Sequence, residues 1–247
     1  FSFFNVFSAN PPIAIFSPAR RVRNNTTKHT LKNVLDNKEV VINVVSYAMV
    51  QQTSLSSTEY GQEVNEFDKA GFTAIASETV KPFRVQESPV QLECVVNEVI
   101  SLGDEGGAGN LVICEIKLIH IDESILNEAG KIDPNKIDLV GRMGGNWYCR
   151  ASQDAIFEVK KPLTTLGIGI DQIPSFIRNS DILSGNDLGI LGNVEHIPSM
   201  EEVEQFCTTN NLKNENSTTL HQKAKELLNH GNTMDAWKTL LIDKLKT

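Results

Sequence analysis

Hydrophobic and polar positions alternate most regularly between residues 81 and 122. Val90, Leu92, Cys94 and Val96 fall on one face of an extended segment, and residues 111 to 122 form a second, V-I-C-E-I-K-L-I-H-I-D, so two strands are predicted. Gly103, Asp104, Glu105, Gly106, Gly107, Ala108 and Gly109 supply the loop of the hairpin. Glu93 and Glu115 lie among apolar neighbours, and a solvent-facing alternation accounts for both without a catalytic pair. Earlier, residues 1 to 9 read as a strand, Asn10, Pro11 and Pro12 as a stiff turn, and Ile13, Ala14, Ile15 and Phe16 as a short buried strand. Leu31, Val34 and Leu35 recur at helical spacing, which predicts a helix over roughly residues 28 to 37, with Thr26, Thr27 or His29 able to cap it. The β-branched run after Glu39 reads as a buried strand, with Asn43 a satisfied polar residue inside it.

After Pro162 the pattern changes. Residues 163 to 198 are loop-rich, yet their apolar positions recur too regularly for disorder, and a wrapping arm is expected. Ser199 with Glu202 forms a capping box that opens a helix through about Phe206, and a polar linker follows. Two helices are predicted near residues 218 to 229 and 234 to 245, with Gly231 ending the first. Their stripes are Leu220, Ala224, Leu227 and Leu228, and Trp237, Leu240, Leu241 and Leu245. A helical hairpin packed on the N-terminal domain is the simple reading; a partner-binding module is the sharper one.

Charge adds a feature that periodicity does not. The chain carries a net charge of -8, yet residues 17 to 35 hold Arg20, Arg21, Arg23, Lys28 and Lys32 and no acidic residue. That island is either a solvated basic loop or an anion site, because backbone N–H groups feeding a helix start beside Lys28 and threonine hydroxyls suit a phosphate. It is too small for a nucleic-acid face on an acidic chain. No apolar run reaches the length of a membrane span. Cys94, Cys114, Cys149 and Cys207 form no C-x-x-C pair, which favours free thiols and a cytoplasmic location. The five histidines show no metal-ligand spacing, so no metal site is expected.

Several motifs in order carry a resemblance: S-F-F-N-x-F-S-x-N-P-P from Ser2, K-x-T-x-x-N (Lys28, Thr30, Asn33), V-V-I-N-V-V-S, E-S-P-V-x-L-E-C, I-D-P-x-K and G-R-x-G-G-x-x-Y from Gly141 to Tyr148. Over residues 1 to about 160 the chain resembles the flavin reductase-like family of FMN-binding split-barrel proteins. The resemblance implies a mainly β fold, a Greek-key split β-barrel with peripheral helices over residues 1–162, followed by a C-terminal extension of arm and helices over residues 163–247. The sequence opens on Phe1 in mid-strand, and members of the family begin earlier, so further N-terminal strands are expected in the whole protein.

By the same resemblance, FMN is the cofactor and NADH or NADPH the co-substrate. Ser2, Phe4 and Asn5 would line the ring edge, with Asn5 hydrogen-bonding it, although Phe1, Phe3, Phe4 and Phe7 also read as plain core. Lys28, Thr30, Asn33 and the helix start would hold the phosphate, with His29 standing where the family commonly has Asp. Arg142 and Tyr148 would sit on a glycine-rich loop closing over the flavin or a dimer seam, against the alternative of a structural ion pair for Arg142. A loop ending at Glu66 and Phe67 would approach the flavin of a partner subunit in a homodimer. The implied function is an FMN-dependent oxidoreductase passing electrons from NAD(P)H to oxygen, free flavin or another small-molecule acceptor. No catalytic side chain is required, since the cofactor carries the chemistry. An FMN-binding electron carrier without nicotinamide turnover, or a non-catalytic interaction protein, are the alternatives.

Overall fold

The structure is a computed structural model that describes residues 2–159 and 161–246; Phe1, one of the aromatic residues assigned above to the core, lies outside them. The chain divides into two compact units, residues 1–157 and 158–247.

In the first unit, strands β1 (Phe4–Ala9), β2 (Pro12–Phe16), β3 (Glu39–Asn43), β6 (Val90–Ser101) and β7 (Asn110–Ile121) form an antiparallel sheet in the order β1-β2-β7-β6-β3. Two further ladders are β4 (Ala74–Ile75) with β5 (Arg84–Val85), and β8 (Leu139–Gly144) with β9 (Trp147–Ala151). Short helices α1 (His29–Asn37), α2 (Val50–Ser56), α3 (Glu66–Ala70) and α4 (Pro134–Ile137) connect them. The strand ladder does not close on itself among the described residues. The predicted alternation holds on one face of β6, where Val90, Leu92, Cys94 and Val96 join Ala14, Phe16, Val112, Cys114 and Ile116 in the core.

On the other face of β6 the expectation fails. Glu93 is not turned to solvent but is 0% exposed, because the segment of residues 72–88, bearing β4 and β5, lies over it. The segment is fastened by polar side chains of β3 and β6. Glu39 accepts from Lys81 N (2.8 Å) and Asn43 from Val85 N (3.0 Å), while Gln91 donates to Ser88 O (2.6 Å) and accepts from Arg84 Nη1 (3.2 Å). Glu93 itself accepts from Glu78 N (2.9 Å), Thr79 N and Thr79 Oγ1 (both 2.6 Å) and His120 Nε2 (2.7 Å), with Arg84 Nε at 3.6 Å. A buried carboxylate is tolerable only when its oxygens are met in this way. Glu115, by contrast, is half-buried and paired with Lys117 at 2.7 Å. The glycine-rich stretch after Gly141 also differs from the expected loop: it is the β8–β9 hairpin, with Gly145 in its turn at φ +53°.

The second unit is helical, and its arm is less loop-like than expected. It contains α5 (Ser175–Arg178) and α6 (Gly185–Gly192), then α7 (Met200–Thr209), α8 (Ser217–Asn229) and α9 (Thr233–Leu241), with a 3-10 turn over Ile242–Leu245. Ile173, Ile177, Leu183 and Leu191 from the arm join Leu220, Ala224, Leu228, Trp237, Leu240 and Leu241 in one core. The two helical stripes are therefore spent inside this unit, as is Leu212 from the supposed polar linker; Leu245 is exposed and Leu227 only half-buried. Trp237 is 0% exposed and donates its indole N–H to Leu191 O at 3.0 Å. The arm reaches α6 closely because both partners are glycine: Gly169 N donates to Gly192 O, and a Cβ on Gly192 would stand 3.1 Å from Gly169 C.

Candidate functional site

The basic island folds as a loop pinned to the β6–β7 turn. Arg20 N donates to Ala108 O and Gly107 N to Arg20 O, while a Cβ on Gly106 would stand 2.9 Å from Val22 O, so only glycine admits this approach. The arginines then hold the loop's shape. Arg20 donates to Asn25 Oδ1 (2.6 Å) and Asn25 O (2.7 Å). Arg21 donates to Thr26 Oγ1 (3.0 Å) and Thr27 O (2.7 Å), and both Arg21 and Arg23 meet Glu59, at 3.2 and 3.1 Å.

At the end of this loop α1 begins without a side-chain cap. The N-cap is Lys28, in extended conformation, and none of Thr26, Thr27 or His29 caps the helix; the two threonines face Arg21 instead. The helix has no acidic residue in its first turn. Lys28 is half-buried, and its ammonium is held below the usual lysine range first by burial and then by the positive charges of Arg21 and Arg142. Cations from the loop, the helix start and the β8–β9 hairpin thus act on one another at the helix's positive end, an arrangement that an anion would relieve. Arg142 donates Nη2 to Gly145 O at 2.7 Å and lies 5.7 Å from the Tyr148 ring; it forms no ion pair among the described residues.

Beside Arg142 is a cleft of about 370 Å³ between α2 and the hairpin, lined by Tyr47, Gln51, Ser54, Asn146, Tyr148 and Arg150 among others. Arg150 is not available to it as a free charge, since it binds both oxygens of Asp138 at 2.7 Å and stacks 4.0 Å from the Tyr47 ring centre.

Of the residues singled out from sequence, Lys28, His29 and Thr30 stand together at the start of α1, with Asn33 exposed on its next turn, and Lys28 interacts electrostatically with Arg142. Ser2, Phe4 and Asn5 stand apart on and before the edge strand β1; Asn5 Oδ1 accepts from Val6 N at 2.8 Å. Phe3 and Phe7 are 67% and 65% exposed, which overturns their reading as core. Glu59, Tyr47 and Gln51 were not singled out, because nothing in their spacing distinguishes them from a surface loop and helix.

The architecture defines an antiparallel-sheet protein of the split-barrel class. The chain belongs to the flavin reductase-like family: the flavin reductase like domain matches residues 1–135. It is 38% identical over 151 residues to an uncharacterized protein of Aquifex aeolicus, a match covering 61% of this chain and 74% of that protein. Component B of nitrilotriacetate monooxygenase from Bacillus cereus is similar with a TM-score of 0.58 and 25% identity, over 64% of this chain and 77% of that one. Flavoredoxin of Desulfovibrio vulgaris (Miyazaki F) shares the fold with a TM-score of 0.53 and 20% identity, over 66% and 80%. No helix among the described residues is long and apolar enough to cross a membrane.

Proposed function

We propose that this protein is an FMN-dependent oxidoreductase that takes reducing equivalents from NADH or NADPH and passes them to a small-molecule acceptor. The observation that carries the reading is the start of α1 without a side-chain cap, where Lys28, half-buried and near the charges of Arg21 and Arg142, stands in a chain of the flavin reductase-like family. The residues fit a phosphate: the backbone N–H groups of a helix start without a side-chain cap, the Lys28 ammonium and the Thr30 hydroxyl are all donors. Lys28, His29 and Thr30 would hold the phosphate, and Arg142 would add charge. When bound, the flavin supplies the two-electron chemistry; the chain's part is to bind it, orient it and shape the field around it. The Asn5 amide N–H₂, which makes no hydrogen bond among the described residues, would face the ring edge, and the Tyr148 face would flank the ligand.

We further propose a homodimer, in which the loop ending at Glu66 and Phe67 would approach the flavin of the partner subunit. The four free cysteines suit a reducing cytoplasm. The test is an absorbance scan of protein mixed with FMN, followed by anaerobic NADH and then NADPH. Bound-flavin bands that bleach with either nucleotide are expected. Bands that persist with both would overturn nicotinamide use, and free FMN after gel filtration would overturn flavin binding. Light scattering should give a mass roughly twice 27.3 kDa.

A further inference from the structure

Arg21 and Arg23 converge on one carboxylate from the neighbouring loop. Arg21 Nε is 3.2 Å from Glu59 Oε1 and Arg23 Nη2 is 3.1 Å from Glu59 Oε2, so each oxygen serves one guanidinium. The two arginines are not equivalent. Arg21 is largely covered and fixed by Thr26 Oγ1 and Thr27 O, whereas the Arg23 side chain is 82% exposed and that of Glu59 is 44% exposed. Exposed pairs of this kind contribute little to stability. Glu59 is also lightly tethered: the backbone hydrogen bonds around it, from Ser57, Thr58, Tyr60 and Val64, all close within residues 54–64. A built pair of guanidiniums is therefore occupied by a carboxylate that can be exchanged at small cost.

We propose that Arg21 and Arg23 form an exchangeable phosphate site in which Glu59 is the internal occupant, and that its ligand is the ribose 2′-phosphate of a phosphorylated nicotinamide dinucleotide. The inference rests on the proposed nicotinamide-dependent function and deepens it by naming the reductant. The choice of phosphate follows from charge. A phosphodiester oxygen pair carries one negative charge, as the Glu59 carboxylate does, so exchanging one for the other gains nothing. A phosphate monoester is close to dianionic near neutral pH and offers three acceptor oxygens, enough to meet both guanidiniums with one to spare. The surrounding field favours the exchange, since Lys28 lies within the electrostatic reach of Arg21.

The test uses calorimetric titration of the whole chain, with and without FMN, by 2′,5′-ADP and by 5′-AMP. The 2′-phosphorylated nucleotide is expected to bind about ten-fold more tightly, as two charge-assisted contacts to a dianion imply. Arg23→Gln should abolish that difference, and Glu59→Gln should widen it several-fold by removing the competitor. Equal affinity for the two nucleotides in the native chain would overturn the proposal. So would weaker 2′,5′-ADP binding in Glu59→Gln, which would make Glu59 a brace and not an occupant. FMN affinity, read separately by flavin fluorescence, should be unchanged in Arg23→Gln; a parallel loss would assign the pair to the cofactor phosphate and overturn the proposal. Failure of the native chain to bind FMN would overturn the functional reading alone, since the adenosine phosphates still judge the arginine pair.

Discussion

Each unit holds a nine-residue helix that opens without a side-chain cap, α1 in the first and α9 in the second, but only α9 carries an acidic residue, Asp235, in its first turn. In the second unit α6 and α7 open on full capping boxes, Ser184 with Asp187 and Ser199 with Glu202, and α8 opens on Asn216. In the first, α3 and α4 are capped by Asn65 and Asp133, whereas α1 opens on Lys28 with no side-chain cap and with cations around it. For their buried ionisable groups the contrast is reversed. Glu93 is met by donors on every side, whereas His221 Nε2 is the one buried side-chain polar atom without a hydrogen-bond partner among the described residues. What sets α1 apart is therefore not its lack of a cap, which α9 shares, but the positive charge gathered at an end with no acidic residue in its first turn. Local consistency marks scaffold, and its local violation marks the place where a ligand would complete the structure.

The strongest way to break the comparison is to remove the second unit's anchor. Trp237→Ala deletes the largest fully buried side chain and its bond to Leu191 O, and should cost that unit about 3–5 kcal/mol. Hydrogen exchange should show the loss in residues 161–246, with protection of β6 and β7 retained. Equal loss in both units would mean that the division into scaffold and site is not energetic.

Glu93 gives the next effect. Burial alone would raise its pKa, but the Thr79 hydroxyl, the Glu78 and Thr79 N–H groups and His120 more than offset it and hold it at about 2. A carboxyl depressed on folding stabilises the native state above its unfolded value near 4.5, and that contribution is lost as pH falls from there toward 2. Glu93→Gln puts an amide donor against N–H donors and should cost about 2–4 kcal/mol at neutral pH. It should also flatten the acid limb of the first unit's unfolding. An unchanged limb would place the acid sensitivity elsewhere.

Much of this was legible in the sequence. The β6–β7 alternation, the Ser199 box and the final helices follow from periodicity and capping, because those elements are specified by residues within a few positions of one another. The cationic start of α1 was legible from its charge. Glu93 was misread because period two cannot say whether a second layer covers the far face, and the covering segment is fastened by polar residues that carry no hydrophobic signal. The Ser184 box was overlooked because the glycine-rich α6 reads as loop. Glu59 was invisible because its partners are Arg21 and Arg23, a long-range pairing with no sequence spacing of its own.

A pH titration sharpens the contrast between the buried groups. Ser180 Oγ accepts from Ile182 N and Leu183 N and shares a hydrogen bond with His221 Nδ1 at 2.6 Å. Burial lowers the His221 pKa, partly opposed by the charge of Asp243. A base depressed on folding stabilises the native state above its unfolded value of 6.5 and loses that contribution as pH falls below it. In a Trp147→Phe background, Trp237 fluorescence reports the second unit, and its denaturant midpoint should begin to fall below pH 6.5. The first unit's Glu93 contribution should begin to fall only below about 4.5. His221→Asn keeps a hydrogen-bonding partner for Ser180 and should flatten the higher window; persistence of the slope would point to another group.

The smallest effect on stability is the one most specific to the comparison. Lys28→Ser gives α1 the kind of N-cap that α6 and α7 possess, at a position whose φ of -76° and ψ of 148° already suit a capping serine. It also removes an ammonium that burial, and then the charges of Arg21 and Arg142, hold below the usual lysine range. Both changes favour the free protein, which should gain about 0.5–1 kcal/mol in denaturant unfolding. The serine oxygen would then occupy an N–H group that a phosphate needs, and the cation would be gone, so FMN affinity should fall about ten-fold or more. Gain in stability with loss of binding is the signature of an end kept open for a ligand. If Lys28→Ser instead weakened the fold and left FMN affinity intact, the open end of α1 would be a structural accident, and the cofactor phosphate would have to be sought elsewhere in the first unit.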